Sequence, residues 1–557
     1  MGLMLRMAIA IALLFGLLFA FFMGITYLLF YLGYLPGAWL LVISVAVALG
    51  VVLLQWAIGP YIIKWIYKIE WLTPDMPSIE PRYARVYEQI RKGTSEAGVK
   101  MPQVGIIPDD NPNAFTFGWT RNSGHIALTR GVFKYCDDEE AEAVAAHEVG
   151  HIVHNDFVVM TVVSAVVLLF FVIYLACRTL IWSRSGRSRD SGAAEAAALV
   201  IMIVSYLIYI LSNFIALLVS RYREYWADEY SGQSTGSPNK LSSALVKIAY
   251  GLATEGQGMS AKDRSKVEGR HGTTLGIFNV TTARALAAQA ATADGSVSKE
   301  AVKETMAWDL WNPWAFFYEL GMTHPLPAKR IRALDKQSEG MGQAAYIKFD
   351  LKKPESYWDD FLGDIGAMYS WMLSIPIAVG LGYWWWLQGV GEVAYLRALG
   401  VFLLVAGLFG FLYLRFYRYP GNFRDAKVQQ LLRDPKASPV RGTPVRLRGR
   451  IIGRGVPGLF FSEDFKIDDG TGLLLIDYRA IARIIDLLQG VFATQRFVGQ
   501  EVVVEGWYRR QVVPLLEMVR IEAPGFGRRV YRQWLEMGGA AVVAAFGALV
   551  LWLAMLL

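Results

Sequence analysis

The sequence predicts a multi-pass α-helical membrane protein that carries a mainly helical polar domain with a small sheet, and a separate small β-barrel. Three observations lead there. The 557-residue chain is 54% hydrophobic, with a mean hydropathy of +0.33, which is too apolar for an ordinary water-soluble protein. Uncharged runs of membrane length recur along it, and ~20 apolar residues suffice to cross a bilayer core. Between these runs lie two polar stretches, one rich in helix signals and one built from short strand-like segments.

From Met7 to Ile63 no residue is charged, and YLPG at 34–37 breaks the run as a turn. Residues 1–68 therefore read as a two-span hairpin. A cleaved signal peptide would have an apolar core of only ~7–15 residues, and this run is far longer. Residues 69–350 read as one domain that includes the hydrophobic segments 157–177 and 196–220. It opens with the helical spacing of RYARVYEQIRKGTSEAG, followed by strand-like MPQVGIIPDDNPNAFTFGW and SGHIALTRGVF. CDDEEAEAVAAHEVGHIVHND then reads as a helix, because Asp137 and Glu140 have capping-box spacing and the acidic first turn suits the helix dipole. A further helix is expected to begin near Asn213 and to run through SRYREYWADEY.

Residues 365–414 read as two more spans, and 537–557 as a last one, giving up to seven. Residues 436–525 form a separate unit. TPVRLRGRIIG, LFFSEDFKID and GLLLIDY read as strands, RAIARIIDLLQG as a helix, and QEVVVEGWYRR and VPLLEMVRIE as two more strands. Three strands, a helix and two strands is the order of an OB-like barrel.

The formal charge of +7 is modest, and its placement says more than its size. Arg6 precedes the first span, Lys64 and Lys68 follow the second, and the hairpin between them is uncharged. Cytoplasmic loops carry an excess of Lys and Arg, so the N-terminus and the region after residue 64 are expected inside. Arg415, Arg418, Arg424, Arg528, Arg529 and Arg532 put residues 415–536 on the same side. Arg178, Arg184, Arg187 and Arg189, between segments 157–177 and 196–220, run against this pattern. Either the tendency fails there or these segments do not cross in the simple way. The two cysteines, Cys136 and Cys177, exclude a cysteine-rich metal site and a disulfide framework.

The chemistry concentrates in HEVGHIVHND, which holds three of the six histidines. His147 and His151 stand four apart, so on a helix both imidazoles leave one face and can reach one metal, with Glu148 beside them as a base. Catalytic zinc sites use three protein ligands and one open position. His154, seven residues after His147, lies roughly on the same face, but three ligands on one straight helix converge poorly on a tetrahedral ion. Glu224, in SRYREYWADEY, is the better third ligand. Asp228, four residues on, is placed to accept a hydrogen bond from a ligand imidazole. On spacing alone, a solvated helix face shared with Arg221 and Arg223 accounts equally well for Glu224 and Asp228.

HEVGHIVHND, SRYREYWADEY and THPLPAKRIRAL occur in an order that resembles the HtpX-type membrane zinc metalloproteases, relatives of the CAAX prenyl proteases. The resemblance covers roughly residues 1–335. It implies a zincin-like (gluzincin) catalytic domain facing the cytosol, with one Zn2+ per chain held by His147, His151 and Glu224, and with Glu148 as general base. It also implies a role for His324 in holding substrate or steadying the oxyanion, and a structural role for Arg330. The family's usual HPP reads His-Pro-Leu here, with Pro327 one place later. Asn113, Ala114 and Phe115 resemble the family's substrate edge, to which a peptide can add as a strand. His125 reads as a strand residue and not as a ligand.

The expected activity is endopeptidase cleavage of membrane or unfolded proteins, with quality control as the role the resemblance implies, at an inner or plasma membrane. The alternatives are a processing protease for lipidated or C-terminal substrates, and a binding scaffold built on the barrel. Arg446, Arg448, Arg450, Arg454, Phe460 and Phe461 could give that barrel a single-strand-binding face, but fold does not fix function. A protein-interaction or structural barrel is preferred. The expected partners are the lipid bilayer and polypeptide substrates; nucleic acid is not expected.

Overall fold

A computed structural model describes residues 38–73, 80–184, 192–254, 299–349, 355–454, 464–478 and 496–557, with a few positions between 9 and 21. Most of the first expected span, the YLPG turn, the RAIARIIDLLQG helix, Phe460 and Phe461 lie outside the described residues. The chain divides into two compact units, the first formed by residues 1–252, 270–280 and 319–348, the second by the remainder.

In the first unit, helix α1 (Ala38–Ile66) leads to strand β1 (Glu70–Trp71) and helix α2 (Pro81–Glu96). Strands β2 (Gln103–Ile107), β3 (Ala114–Gly118) and β4 (Gly124–Thr129) complete a four-stranded sheet of order β1-β2-β4-β3. β2 and β4 are parallel and β3 is antiparallel to β4, which leaves β3 at an edge. Helix α3 (Asp138–Val153) packs on β3 and β4. Its start is fixed locally: Glu140 N donates to Asp137 Oδ1 at 2.9 Å, and Asp137 N donates to Glu140 Oε2 at 2.7 Å. Ser243 Oγ and Lys247 Nζ also donate to the Glu140 carboxylate, at 2.6 and 2.7 Å.

Asn155, at φ 59°, turns the chain between α3 and helix α4 (Asp156–Arg184). Asparagine tolerates this left-handed conformation better than most residues. Helix α5 (Gly192–Thr235) is continuous over 44 residues. The sequence reading separated an apolar run ending at 220 from a helix starting near Asn213, and the two are one element. Asn213 Nδ2 donates to Tyr209 O one turn back at 3.0 Å, so this polar residue is absorbed within the helix and does not start a new one. At 1.5 Å per residue α5 is about 66 Å long, roughly twice a ~30 Å hydrocarbon core. A stretch bearing Glu224 and Asp228 therefore extends beyond a span-length segment. Gly150 sets the crossing of α3 and α5. A Cβ there would lie 2.9 Å from Ala227 Cα, so only glycine permits this approach. Helix α6 (Pro327–Gly340) packs on α5.

In the second unit, helices α7 (Ser374–Leu387) and α8 (Val393–Leu412) precede the barrel, and helix α9 (Arg532–Leu556) follows it. α8 and α9 meet through small residues: a Cβ on Gly407 would lie 2.4 Å from Ala544 N, and one on Gly547 2.2 Å from Leu404 N. Such contacts let apolar helices approach where lipid offers no competing hydrophobic force. Strands β5 (Arg424–Asp425), β6 (Thr443–Arg454), β7 (Phe465–Asp468), β8 (Leu473–Asp477), β9 (Glu501–Arg509), β10 (Leu515–Ala523) and β11 (Phe526–Arg529) form the sheet of this unit. β6 pairs with β7 and β9, β9 with β10, β10 with β8, and β8 with β7, so these five strands close on themselves as a small barrel. Arg446 on β6 is paired with Glu505 at 2.7 Å.

Among the described residues five helices are long and apolar enough to cross a membrane: Leu49–Ile66, Asp156–Thr179, Ala196–Thr235, Val393–Arg418 and Arg532–Leu556. The pair Trp358–Met368 and Ser370–Leu387, bent by 61°, makes up to six.

Candidate metal centre and active site

Three elements of the first unit bring the candidate residues together. α3 supplies His147 and Glu148, both buried, and His151, which is largely buried. One ligand atom from each of the three lies within 4.8 Å of the others. α5, held close by the Gly150–Ala227 contact, supplies Glu224 and, one turn later, Asp228. The segment before α6 supplies His324.

The imidazoles are arranged alike. His147 Nε2 lies 3.7 Å from Glu224 Oε2, and His151 Nε2 lies 3.7 Å from Glu224 Oε1. Each Nδ1 turns to a different carboxylate: His147 Nδ1 is 3.0 Å from Asp228 Oδ1, and His151 Nδ1 is hydrogen-bonded to Asp156 Oδ2 at 2.5 Å. A carboxylate behind each ligand imidazole fixes the ring and raises the basicity of its outer nitrogen. Asp228 is held in turn by Arg330, whose Nε and Nη2 reach its two oxygens at 2.8 and 2.6 Å. Arg330 is fully buried. Burial works against its charge, but Asp228 outweighs this and lifts its pKa above the ordinary arginine value.

The residues present fit a divalent metal. Among the described residues His147 Nε2 is buried with no hydrogen-bond partner, which normal interiors avoid, and Glu224 Oε2 faces nitrogens alone, His324 Nδ1 at 3.1 Å, Arg330 Nη1 at 3.4 Å and His147 Nε2 at 3.7 Å. The 3.7 Å separations are too long for hydrogen bonds, yet near the ~3.4 Å expected between tetrahedral ligands at ~2.1 Å. Burial disfavours the His147 imidazolium, but Asp228 and Glu224 override it and raise the pKa to about 9. Histidine nitrogens with one carboxylate are a donor set that suits zinc and its neighbours.

Glu148 is anchored to the sheet edge, because Thr116 Oγ1 on β3 donates to its Oε2. His324 Nδ1 lies 3.1 Å from Glu224 Oε2. Buried Arg221 holds the segment leading to His324, through Nη1 donating to Glu319 O at 2.5 Å and Met322 O at 2.9 Å. His154 is the C-terminal cap of α3 and packs on Trp226, 5.3 Å between ring centres. His125 lies in β4, stacked on Phe117 at 4.8 Å; burial, with Lys64 nearby, lowers its pKa to about 4. Ala114 and Phe115 lie in the edge strand β3. Asn113 just precedes it, its N–H bonded to Thr129 Oγ1 at 2.8 Å.

Sequence reasoning missed Asp156, Thr116 and Arg221. Asp156 was signalled by the Asn155-Asp156 pair at a helix end, where a left-handed turn returns the carboxylate to the helix it has just left. Arg221 entered only in the alternative of a solvated helix face shared with Glu224 and Asp228, and it is buried.

The sequence profile of peptidase family M48 matches residues 80–338. A protease HtpX homolog of Methanothermobacter thermautotrophicus is 36% identical over 46% of this chain and 88% of its own length. The chain belongs to peptidase family M48. Further M48-type relatives are the protease HtpX homologs of Aeropyrum pernix, 31% identical over 53% of this chain and 86% of the relative, and of Thermoplasma acidophilum, 30% identical over 57% and 93%. Among solved structures, S. mikatae Ste24p matches 59% of this chain and 67% of its own, at 18% identity and a TM-score of 0.33. This M48 chain is a membrane-associated metallopeptidase with HExxH at 147–151, and its barrel lies beyond the matched residues.

Proposed function

We propose that the chain is a zinc-dependent endopeptidase that cleaves membrane or unfolded polypeptides at the cytosolic face of a cell membrane, in protein quality control. The observation that carries this reading is the convergence of both imidazole Nε2 atoms on Glu224, each ring backed by its own carboxylate. His147, His151 and Glu224 would hold one zinc. When bound, such an ion provides Lewis-acid polarisation of the scissile carbonyl and acidifies water towards neutral pH.

Glu148 accepts a proton from the attacking water as oxygen adds to the carbonyl carbon. It returns that proton to the amine nitrogen as the C–N bond breaks. Thr116 keeps the Glu148 carboxylate aimed, and Asp156 and Asp228 hold the two imidazoles. His324 steadies the oxyanion, a role its position beside Glu224 supports. The zincin-like reading of the domain is supported by an HExxH helix lying under an edge strand, with the third carboxylate on a second helix. The five-strand closed barrel, with β8 and β10 parallel, supports an OB-type second domain. Lys64 at the end of α1, and Arg415 and Arg418 after α8, support a cytosolic site and barrel.

The test uses purified full-length chain in detergent, wild type against Glu148→Gln, with casein as substrate. The reading expects about one zinc in both and cleavage by the wild type alone. Equal cleavage by both proteins would remove Glu148 from the mechanism.

A further inference from the structure

Beside the edge strand is a cavity of about 270 Å³ lined by α1, β3 and α4, including Trp56, Gly59, Ile63, Thr116, Phe157 and Met160. Among the described residues no charged side chain lines it. Thr116 joins it to the catalytic machinery, since this residue lines the cavity and its hydroxyl donates to Glu148. The cavity is therefore one residue away from the proposed base.

It is also built, not incidental. Trp56 Nε1 donates to Trp119 O, and Trp119 Nε1 donates back to Ala57 O, both at 3.1 Å. This reciprocal pair ties α1 to the residue following β3 and keeps the two elements apart by a fixed width. Gly59 faces the gap with nothing within 4 Å of where a Cβ would stand, and Pro60 follows it inside the helix. The walls come from the last turns of α1 and the first turns of α4, so the cavity lies at the ends of two span-length helices. Exposed Tyr61 and Trp65 flank it on α1, as aromatic residues do at a membrane–water interface.

We propose that this cavity is the specificity pocket of the peptidase, and that it takes one bulky apolar side chain, Leu, Met or Phe, from a polypeptide at the point where its hydrophobic segment meets the membrane surface. The inference rests on the peptidase reading above and names the substrate feature that reading leaves open. The volume is about nine times the ~30 Å³ share of a liquid water and just below the ~300–1,000 Å³ of pockets for drug-sized ligands. That is room for a large apolar side chain with space to spare. A strand added at β3 would direct alternate side chains to one side, and the cavity lies beside Thr116, Phe117 and Gly118.

The experiment uses zinc-loaded full-length chain in nanodiscs and a peptide series that differs only at one position flanking the scissile bond. Cleavage products are mapped by mass spectrometry. Wild type should favour Leu, Met or Phe over Gly at a single position by about tenfold or more, as expected for a hydrophobic subsite. Gly59→Leu, which narrows the cavity, should collapse or invert that ratio. Met160→Ala, which removes part of its apolar wall, should weaken the preference for Leu, Met or Phe. Zinc content and melting temperature report whether each variant is folded, and Met160→Ala decides the matter if Gly59→Leu is not. Unchanged ratios in cleaving variants would overturn the proposal and leave the cavity as a lipid-filled gap. A wild type that binds zinc but cleaves nothing overturns instead the peptidase reading on which the proposal stands.

Discussion

Gly150→Ala is the smallest change that should dismantle the metal centre without touching a ligand. The new methyl carbon would lie 2.9 Å from Ala227 Cα and 3.3 Å from Ala227 Cβ and O. Carbon atoms rest at ~3.5–4.0 Å, so α3 and α5 must part by roughly 0.6–1 Å. Neither side of the contact is a flexible side-chain end; both are helix backbone. Glu224 lies one turn before Ala227 and would move with it, away from His147 and His151. Overpacking of this kind destabilises by about 1–3 kcal/mol, and a misplacement near 1 Å lowers turnover by about 100-fold. The assay is zinc affinity by chelator competition, with kcat/KM on a casein peptide and thermal melting. Gly340→Ala is the control, because a Cβ there meets nothing within 4 Å. Full zinc affinity and activity in Gly150→Ala would refute the argument that this helix crossing sets the site.

Other perturbations probe the supports. Asp156→Ala removes the carboxylate behind His151 and should weaken zinc binding by about 10–100-fold; Asp156→Asn, which keeps an acceptor, should recover part of it in the same competition assay. Arg330→Met leaves Asp228 as a buried charge without its bidentate partner and should cost about 3–5 kcal/mol in chemical denaturation. Asp335 accepts an N–H from Tyr346, yet burial pushes its pKa up to about 7. Because the folded-state value is raised, its favourable contribution is complete below the ordinary carboxylate range and is lost as pH rises through 7. Asp335→Asn should therefore flatten the fall in melting temperature between pH 4 and 7 and stabilise the protein at pH 8 by about 1–3 kcal/mol.

What could be read from the chain was local. The capping box at Asp137 and Glu140 and the i, i+4 imidazoles are set by helix geometry within twenty residues, and the structure places them together. The strands that became β6, β8, β9 and β10 declared themselves by short apolar or β-branched segments between turn residues. Glu224 was different. Spacing left it level with a solvated face, because its place depends on Gly150 meeting Ala227, a contact between helices far apart in sequence. Only the resemblance favoured it. Asp156 lies past the end of the zinc helix and returns to it only through the turn at Asn155, and the unbroken length of α5 was hidden by Asn213, a polar residue whose amide bonds back to its own helix. Short edge strands such as β5 and β11 carry too few residues to show a period.

The account stands on three protein ligands for one metal. The most direct measurement is zinc stoichiometry by elemental analysis of the purified full-length chain and two variants, Glu224→Ala and His154→Ala. The account predicts about one zinc per chain in the wild type and in His154→Ala, and loss of that zinc in Glu224→Ala. A Glu224→Ala protein that keeps its zinc while His154→Ala loses it would contradict the ligand set.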